Sequence, residues 1–243
     1  MRHIHPYSCR GFSLVEMAIV LAIVGLLLGG LIPTLSAQME SQRINETRKQ
    51  MDEIQQALIG YAIINGRLPC PADGTIPTIP GVANGAGEKK STCTTGANGG
   101  VLPWVTLGIS ETDAWGRRFT YRVTPNFADA TDGDGSSCTV TTGVSFQVCS
   151  EGNLYMWSDA AKTTSVASKI PVVVVSHGTD GLGAYTTDGQ LIAGAAGDQG
   201  ENAANNNNND FVSHGVTSTF DDLIVWLSPN ILLNRMVTAG KLP

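Results

Sequence analysis

The run Ser176-His177-Gly178-Thr179-Asp180 places a hydroxyl, an imidazole and a carboxylate within five residues, directly after the apolar stretch Pro171-Val172-Val173-Val174-Val175. These side-chain types perform nucleophilic hydrolysis, and catalytic residues gather on the loops that follow strands. The spacing does not support that chemistry. Adjacent Ser and His cannot by themselves form a nucleophile and its base, and no G-x-S-x-G elbow occurs. Gly181-Leu182-Gly183 lacks the third glycine of a nucleotide-binding loop. A turn closing a hairpin accounts for the run better. A second candidate, Asp132-Gly133-Asp134-Gly135-Ser136, resembles half of a calcium loop but has no acidic residue at the twelfth position. Calcium at Asp132 and Asp134 is thus the one cofactor to consider, and no catalytic constellation emerges, so an enzyme is not expected.

The remaining chemically distinctive group is Glu16. It is the only charged residue between Arg10 and Glu40, and it lies inside an apolar stretch of 24 residues from Phe12 to Leu35. A membrane helix needs roughly 20 such residues. A leader with Arg2 and Arg10 and no acid precedes the stretch, and the first charge after it is Glu40, so the positive-inside rule predicts a cytoplasmic N-terminus and an extracytoplasmic remainder. A cleaved secretory signal would have a shorter apolar core of about 7 to 15 residues. A carboxylate within the span costs on the order of 2.5 to 3.5 kcal/mol at the bilayer centre and less near its ends, so Glu16 requires a partner.

Gly11-Phe12-Ser13-Leu14-Val15-Glu16, behind a short basic leader and ahead of the apolar stretch, closely resembles the class III signal of type IV pilins and type II secretion pseudopilins. The resemblance implies that a prepilin peptidase cuts between Gly11 and Phe12 and that the new N-terminus on Phe12 is methylated. It also implies that Glu16 meets the amine of a neighbouring subunit during filament assembly, with other pilins and an inner-membrane assembly platform as partners. Cleavage creates an α-amine, largely cationic at neutral pH, in apolar surroundings, and buried charges need partners. Gly25 and Gly29 form a small-xxx-small pair that permits close helix approach in lipid. Gly29, Gly30 and Pro33 concentrate helix-weakening residues, and Pro33 falls where pilins recurrently bend. The alternative is a membrane-tethered periplasmic binding or adhesin module that uses a pilin-like anchor.

Composition fits this division. Charged residues make up 15 % of the 243-residue chain against a norm of about 25 %, while hydrophobic residues reach 42 %. The net charge of −6 and a pI of about 5.1 exclude a basic nucleic-acid binder. Loss of Arg2 and Arg10 with the leader would make the chain two charges more negative.

The elements that must present the signal follow from periodicity. Seven charged residues between Glu40 and Glu53, with no Gly or Pro up to Gln56, predict a solvated helix continuing from the apolar stretch. Met51, Ile54, Leu58 and Tyr61, with Ala62 beside them, form a stripe that should dock on a sheet, and Asn65-Gly66 should end the helix. Strands are expected at 118–123, 144–149, 154–157, 170–176 and 223–227. The valine run should be a central buried strand with Pro171 at its start. Residues 72–100 read as a long loop, and Asp113-Ala114-Trp115-Gly116 resembles a turn of major pseudopilins. Ser228-Pro229 should open a short helix over 230–239 with Leu232, Leu233, Met236 and Val237 facing inward. The expected fold class is α+β: a long N-terminal transmembrane-to-periplasmic helix packed on an antiparallel β-sheet head, with a short C-terminal helix. The expected boundaries are leader 1–11, transmembrane helix 12–35, periplasmic helix 36–66 and head 67–243.

Of five cysteines, Cys9 would leave with the leader. An even number outside the cytoplasm favours disulfides. Three pairings are possible; Cys70 with Cys93 and Cys138 with Cys149 is favoured because each closes a loop within one Gly/Thr-rich segment. Zinc is disfavoured because no C-x-x-C occurs and only His177 and His214 remain. Major pseudopilins bind calcium near their C-terminal end, where this chain offers Asp221 and Asp222, after the run Asn205 to Asp210, which reads as a flexible loop.

Overall fold

The computed structural model describes residues 11–91, 93, 100–128 and 145–242, without the side chains of residues 27–35. The chain divides into two compact units, residues 1–43 and 44–243. Helix α1 (Leu14–Asn65) begins in the first and ends in the second. It runs through Gly25, Gly29, Gly30 and Pro33, and Gly66 stops it by adopting a left-handed φ of 70°, with its N–H on the Ala62 carbonyl at 2.8 Å. The helix therefore ends where Asn65-Gly66 predicts. It starts two residues later than Phe12.

In the larger unit, α1 buries Thr47, Met51, Ile54, Leu58, Ile59 and Ala62. Tyr61, expected in the stripe, is only partly buried; the apolar face turns toward Ala62 instead. This face packs on a five-stranded antiparallel sheet made of β1 (Ala72–Asp73), β2 (Gly100–Val101), β3 (Thr120–Val123), β6 (Val172–Ser176) and β8 (Leu223–Leu227), in the order β1-β2-β3-β6-β8. Tyr121 lies opposite Val174, which lies opposite Val225. One face of the sheet joins Tyr121, Val123, Val172 and Val174 to α1, to Phe119, Phe127 and Phe146, and to helix α2 (Pro229–Thr238). The other joins Val173 and Val175 to Leu154, Met156, Ile170 and Phe211.

Those last residues belong to a second sheet that the sequence did not reveal. It consists of β4 (Leu154–Trp157), β5 (Ser165–Ile170) and β7 (Asp210–Val212) in the order β5-β4-β7, and β4 pairs with β7 in parallel. The antiparallel sheet expected of the head is the five-stranded one, and this second sheet, with its parallel β4–β7 pair, adds to it. The chain from Ser165 to Ser176 is two strands in two sheets, parted at Pro171, which cannot donate to a ladder; its carbonyl accepts from Thr124 N at 2.8 Å. All four residues of β3 are buried.

Residues 145–149, expected to be a strand, form a turn. Phe146 enters the core and stacks on Phe127 at 4.8 Å, Ser145 N donates to Gly66 O at 2.9 Å, and the Ser150 hydroxyl accepts from Gln147 N at 2.9 Å. These contacts satisfy the backbone without a ladder. Helix α2 buries Leu232, Leu233 and Met236 but leaves Val237 exposed, since Met236 completes the inward face one residue earlier. The asparagine run is hydrogen-bonded: Asn206 donates from Nδ2 to Gly200 O at 2.9 Å, and Asn208 accepts from Asp210 N at 3.2 Å, leading the chain into β7.

Arg118, fully buried, organises the long loop after β1. Its guanidinium donates to Glu111 Oε1 at 2.9 Å, to the carbonyls of Gly74 at 2.8 Å, Ile76 at 3.0 Å and Thr187 at 3.0 Å, and to Thr78 Oγ1 at 2.9 Å, and it lies 4.7 Å from the Trp104 ring centroid. The Asp113-Ala114-Trp115-Gly116 turn is equally built in. Asp113 accepts from Trp115 N and Arg117 N, both at 3.0 Å, and from the Ser176 hydroxyl at 2.6 Å, while Ala114 N donates to Thr47 Oγ1 of α1 at 3.3 Å.

Candidate functional site

The residues singled out at the N-terminus occupy the start of α1. Gly11, Phe12 and Ser13 precede the helix, and every described side chain from Phe12 to Leu26 is exposed, with Phe12 at 82 %. A β-carbon placed on Gly11 or Gly25 would meet nothing within 4 Å. Apolar residues fall on all sides of this segment, and among the described residues nothing covers Leu14, Val15, Leu21 or Leu26. A helix that is hydrophobic all round belongs in lipid or among other apolar helices.

Glu16 is held by its own helix end. Ser13 N donates to Glu16 Oε2 at 3.2 Å, and Glu16 N donates to Ser13 Oγ at 3.2 Å. The two bonds form a capping box, in which the residue before the helix and the third helical residue satisfy each other's backbone donors. The Ser13 carbonyl also accepts from Met17 N at 3.2 Å, the first bond of the helix ladder. The box leaves Phe12 outside the helix. The Ser-x-x-Glu spacing ahead of an apolar run was the signal that could have disclosed this arrangement.

Residues 7–32 match the family model of the prokaryotic N-terminal methylation motif. The chain carries a class III prepilin signal. The motif accords with type IV pilins and pseudopilins, fits a membrane-anchored pilin-like substrate of prepilin peptidase, and favours a structural over a catalytic protein. No curated protein and no solved structure matches the chain. Among the described residues, no helix is long and apolar enough to cross a membrane. The crossing expected for residues 12–35 includes side chains outside that description, and it rests on the sequence. Gly29, Gly30 and Pro33 lie in the same region of α1, which is one continuous helix.

The head places the other candidates as follows. Cys70 and Cys93 form a disulfide with Cα atoms 4.8 Å apart. Cys149 is also disulfide-bonded. Cys138, Asp132 and Asp134 lie outside the described residues. The strand carrying Ser176 pairs next with β8, so the Ser176–Asp180 turn closes no hairpin. Its side chains engage different partners: Ser176 bonds to Asp113, while His177 Nε2 is 2.7 Å from Thr120 Oγ1 and His177 Nδ1 lies 3.6 Å from Asp222 Oδ1, with both side chains fully buried.

Asp221 and Asp222 engage different partners. Asp221 accepts from Thr179 N at 2.6 Å, Asp180 N at 3.0 Å and Gln199 Nε2 at 2.9 Å, and burial raises its pKa above the usual carboxylate value. Asp222 accepts from Asn202 Nδ2 at 2.8 Å. Among the described residues, no group of three or more His, Cys, Asp and Glu side chains is placed to hold a metal ion. Arg122, a further buried cation, donates to Asn206 O, and burial lowers its pKa to about 10.

Proposed function

We propose that this chain is a minor pilin or pseudopilin, a structural subunit of a type IV pilus or a type II secretion pseudopilus. It is inserted in the inner membrane through residues 12–35 with its N-terminus cytoplasmic and its head periplasmic. Prepilin peptidase removes residues 1–11, Phe12 is methylated, and the N-terminal helix enters a filament in which Glu16 pairs with a neighbouring subunit's amine. The observation that carries this reading is the methylation motif at residues 7–32, set on a helix start whose described apolar side chains are all uncovered. A helix of that kind is complete only when lipid or like helices surround it.

Intact mass of the membrane form, from cells with a prepilin peptidase, tests the reading. The chain should lose residues 1–11 and gain one methyl group, and Glu16→Ala should be cleaved yet excluded from filaments. Retention of the leader, or normal incorporation of Glu16→Ala, would refute it.

A further inference from the structure

We infer that the outer edge of β8 receives an extended segment of a neighbouring subunit as an added strand. The inference rests on the filament reading above and names a contact between heads. The ladder fixes which groups β8 leaves open. Thr124 N donates to Pro171 O at 2.8 Å, and β3 continues along β6 in register from Val123 opposite Val172. Backbone groups alternate sides along a strand, so residues 171, 173 and 175 turn theirs toward β3, and residues 172, 174 and 176 turn theirs toward β8. The partners of that second set are Leu227, Val225 and Leu223. The N–H and C=O groups of Ile224 and Trp226 therefore point outward. Consistent with this direction, the Trp226 carbonyl accepts from Gln55 Nε2 of α1 at 3.1 Å. Gln55 donates where the N–H of an incoming strand would.

This edge lacks the protections found on the others. β1 has two residues, β7 has three, and β5 carries Lys169 and register shifts against β4. Short, charged or bulged edges discourage pairing. β8 pairs with β6 over all five residues without a shift, and its Leu-Ile-Val-Trp-Leu run contains no charge, Gly or Pro. Among the described residues no strand lies beyond it. A cavity opens at each end of the edge. One, of about 390 Å³, touches Ile224 and is lined by Arg48, Met51 and Asp52 of α1 and by His214. The other, of about 470 Å³, touches Trp226 and is lined by Ser228, Asn230, Leu233, Glu151 and Lys169. Strand addition takes its affinity from main-chain bonds and its specificity from pockets for alternate side chains. Each cavity presents one exposed acid and one exposed base, Asp52 with Arg48 and Glu151 with Lys169, so the groove is charge-balanced on a chain of net charge −6. It suits an uncharged segment with apolar residues at alternate positions. Because α1 forms one wall, the groove continues the helix surface that enters the proposed filament. In a head-to-tail repeat the same edge cannot face itself, so the added strand comes from a different part of the neighbour.

The test follows amide hydrogen exchange of the wild-type chain, as the membrane form in detergent and as recovered in sheared filaments from the native host. In detergent the Ile224 and Trp226 amides should exchange at least about tenfold faster than those of Leu223, Val225 and Leu227. In filaments they should slow by about tenfold or more. Ile224→Pro removes an outward N–H and keeps every bond to β6, and proline is tolerated on the open side of an edge strand. It should retain the wild-type unfolding midpoint and incorporate about tenfold less, the loss expected when a partner's carbonyl is left unmet. Val225→Pro removes a bond to β6 and should unfold at lower denaturant. Equal midpoints for the two proline variants would overturn the assignment of the outward groups. Protection of both amides already in detergent would overturn the inference, because the chain would then cover the edge itself. Filaments in which both amides exchange as in detergent, or wild-type incorporation of Ile224→Pro, would overturn it alone; the exchange result decides even where Ile224→Pro fails to fold. Absence of the wild-type chain from filaments would overturn the filament reading and this contact with it.

Discussion

Replacing both Cys70 and Cys93 by alanine should destabilise the head by about 3 kcal/mol, and the magnitude follows from the loop. The bridged residues are 23 apart in sequence, and the chain-entropy relation for a loop of that size gives roughly 3 kcal/mol at 25 °C. The loss should fall on the unfolded chain because the folded loop is held independently. Lys90 N donates to Pro71 O at 3.0 Å, Lys90 Nζ lies 3.3 Å from Asp73, and Arg118 grips the carbonyls of Gly74 and Ile76. For a unit of about 200 residues, such a loss lowers the thermal midpoint by roughly 6 to 12 °C. Denaturant unfolding of the full chain in detergent, followed by tryptophan fluorescence, would measure it, with hydrogen exchange at residues 74–78 as the second reading. The midpoint should fall while exchange at the loop stays protected relative to global unfolding. A loss under about 1 kcal/mol, or a loop that opens locally in an otherwise stable head, would refute the entropic account.

Two further predictions concern the head. Asp221 has its pKa raised, chiefly by burial, so the stability linked to it is fully present below its ordinary pKa and is lost as pH rises through the raised one. Asp221→Asn should therefore flatten the decline of the unfolding midpoint above the usual carboxylate range, and unchanged slopes for variant and wild type would contradict the assignment. Gly87→Ala should cost at least about 2 kcal/mol, because Gly87 has a φ of 71° and a β-carbon there would lie 2.3 Å from the Trp104 indole that stacks on Arg118. Denaturant titration would show it, and a neutral effect would mean that the indole has room to move.

What the sequence disclosed was local. The end of α1 was readable because Gly66 supplies a left-handed φ. The central strand was readable because consecutive β-branched residues tolerate burial on both faces. What it concealed depends on contacts between distant segments. β5 carries exposed Val166 and Lys169 and shows no alternation, so only its pairing with β4 makes it a strand. β7 is three residues long and pairs in parallel with a strand more than fifty residues earlier. Arg118 and Arg122 have the look of solvent-facing charges in a strand, and both are buried because a loop and a second sheet close over them. The disulfide at Cys70 and Cys93 was legible because its loop stays within one segment.

Glu16 shows how a local signal alters the functional argument. A lone carboxylate in an apolar stretch requires compensation of on the order of 2.5 to 3.5 kcal/mol at the bilayer centre, and that demand pointed to a neighbour's amine. The capping box and the helix dipole together offset roughly 1 to 3 kcal/mol from within the chain, since Glu16 lies in the first turn of α1. The isolated subunit can therefore keep the carboxylate in its apolar setting without a partner, whereas an unassisted charge would need one at once. For the proposed filament subunit, the smaller remainder would make the amine a selector of register more than a requirement for insertion. On this account Glu16→Ala leaves membrane insertion intact and removes assembly.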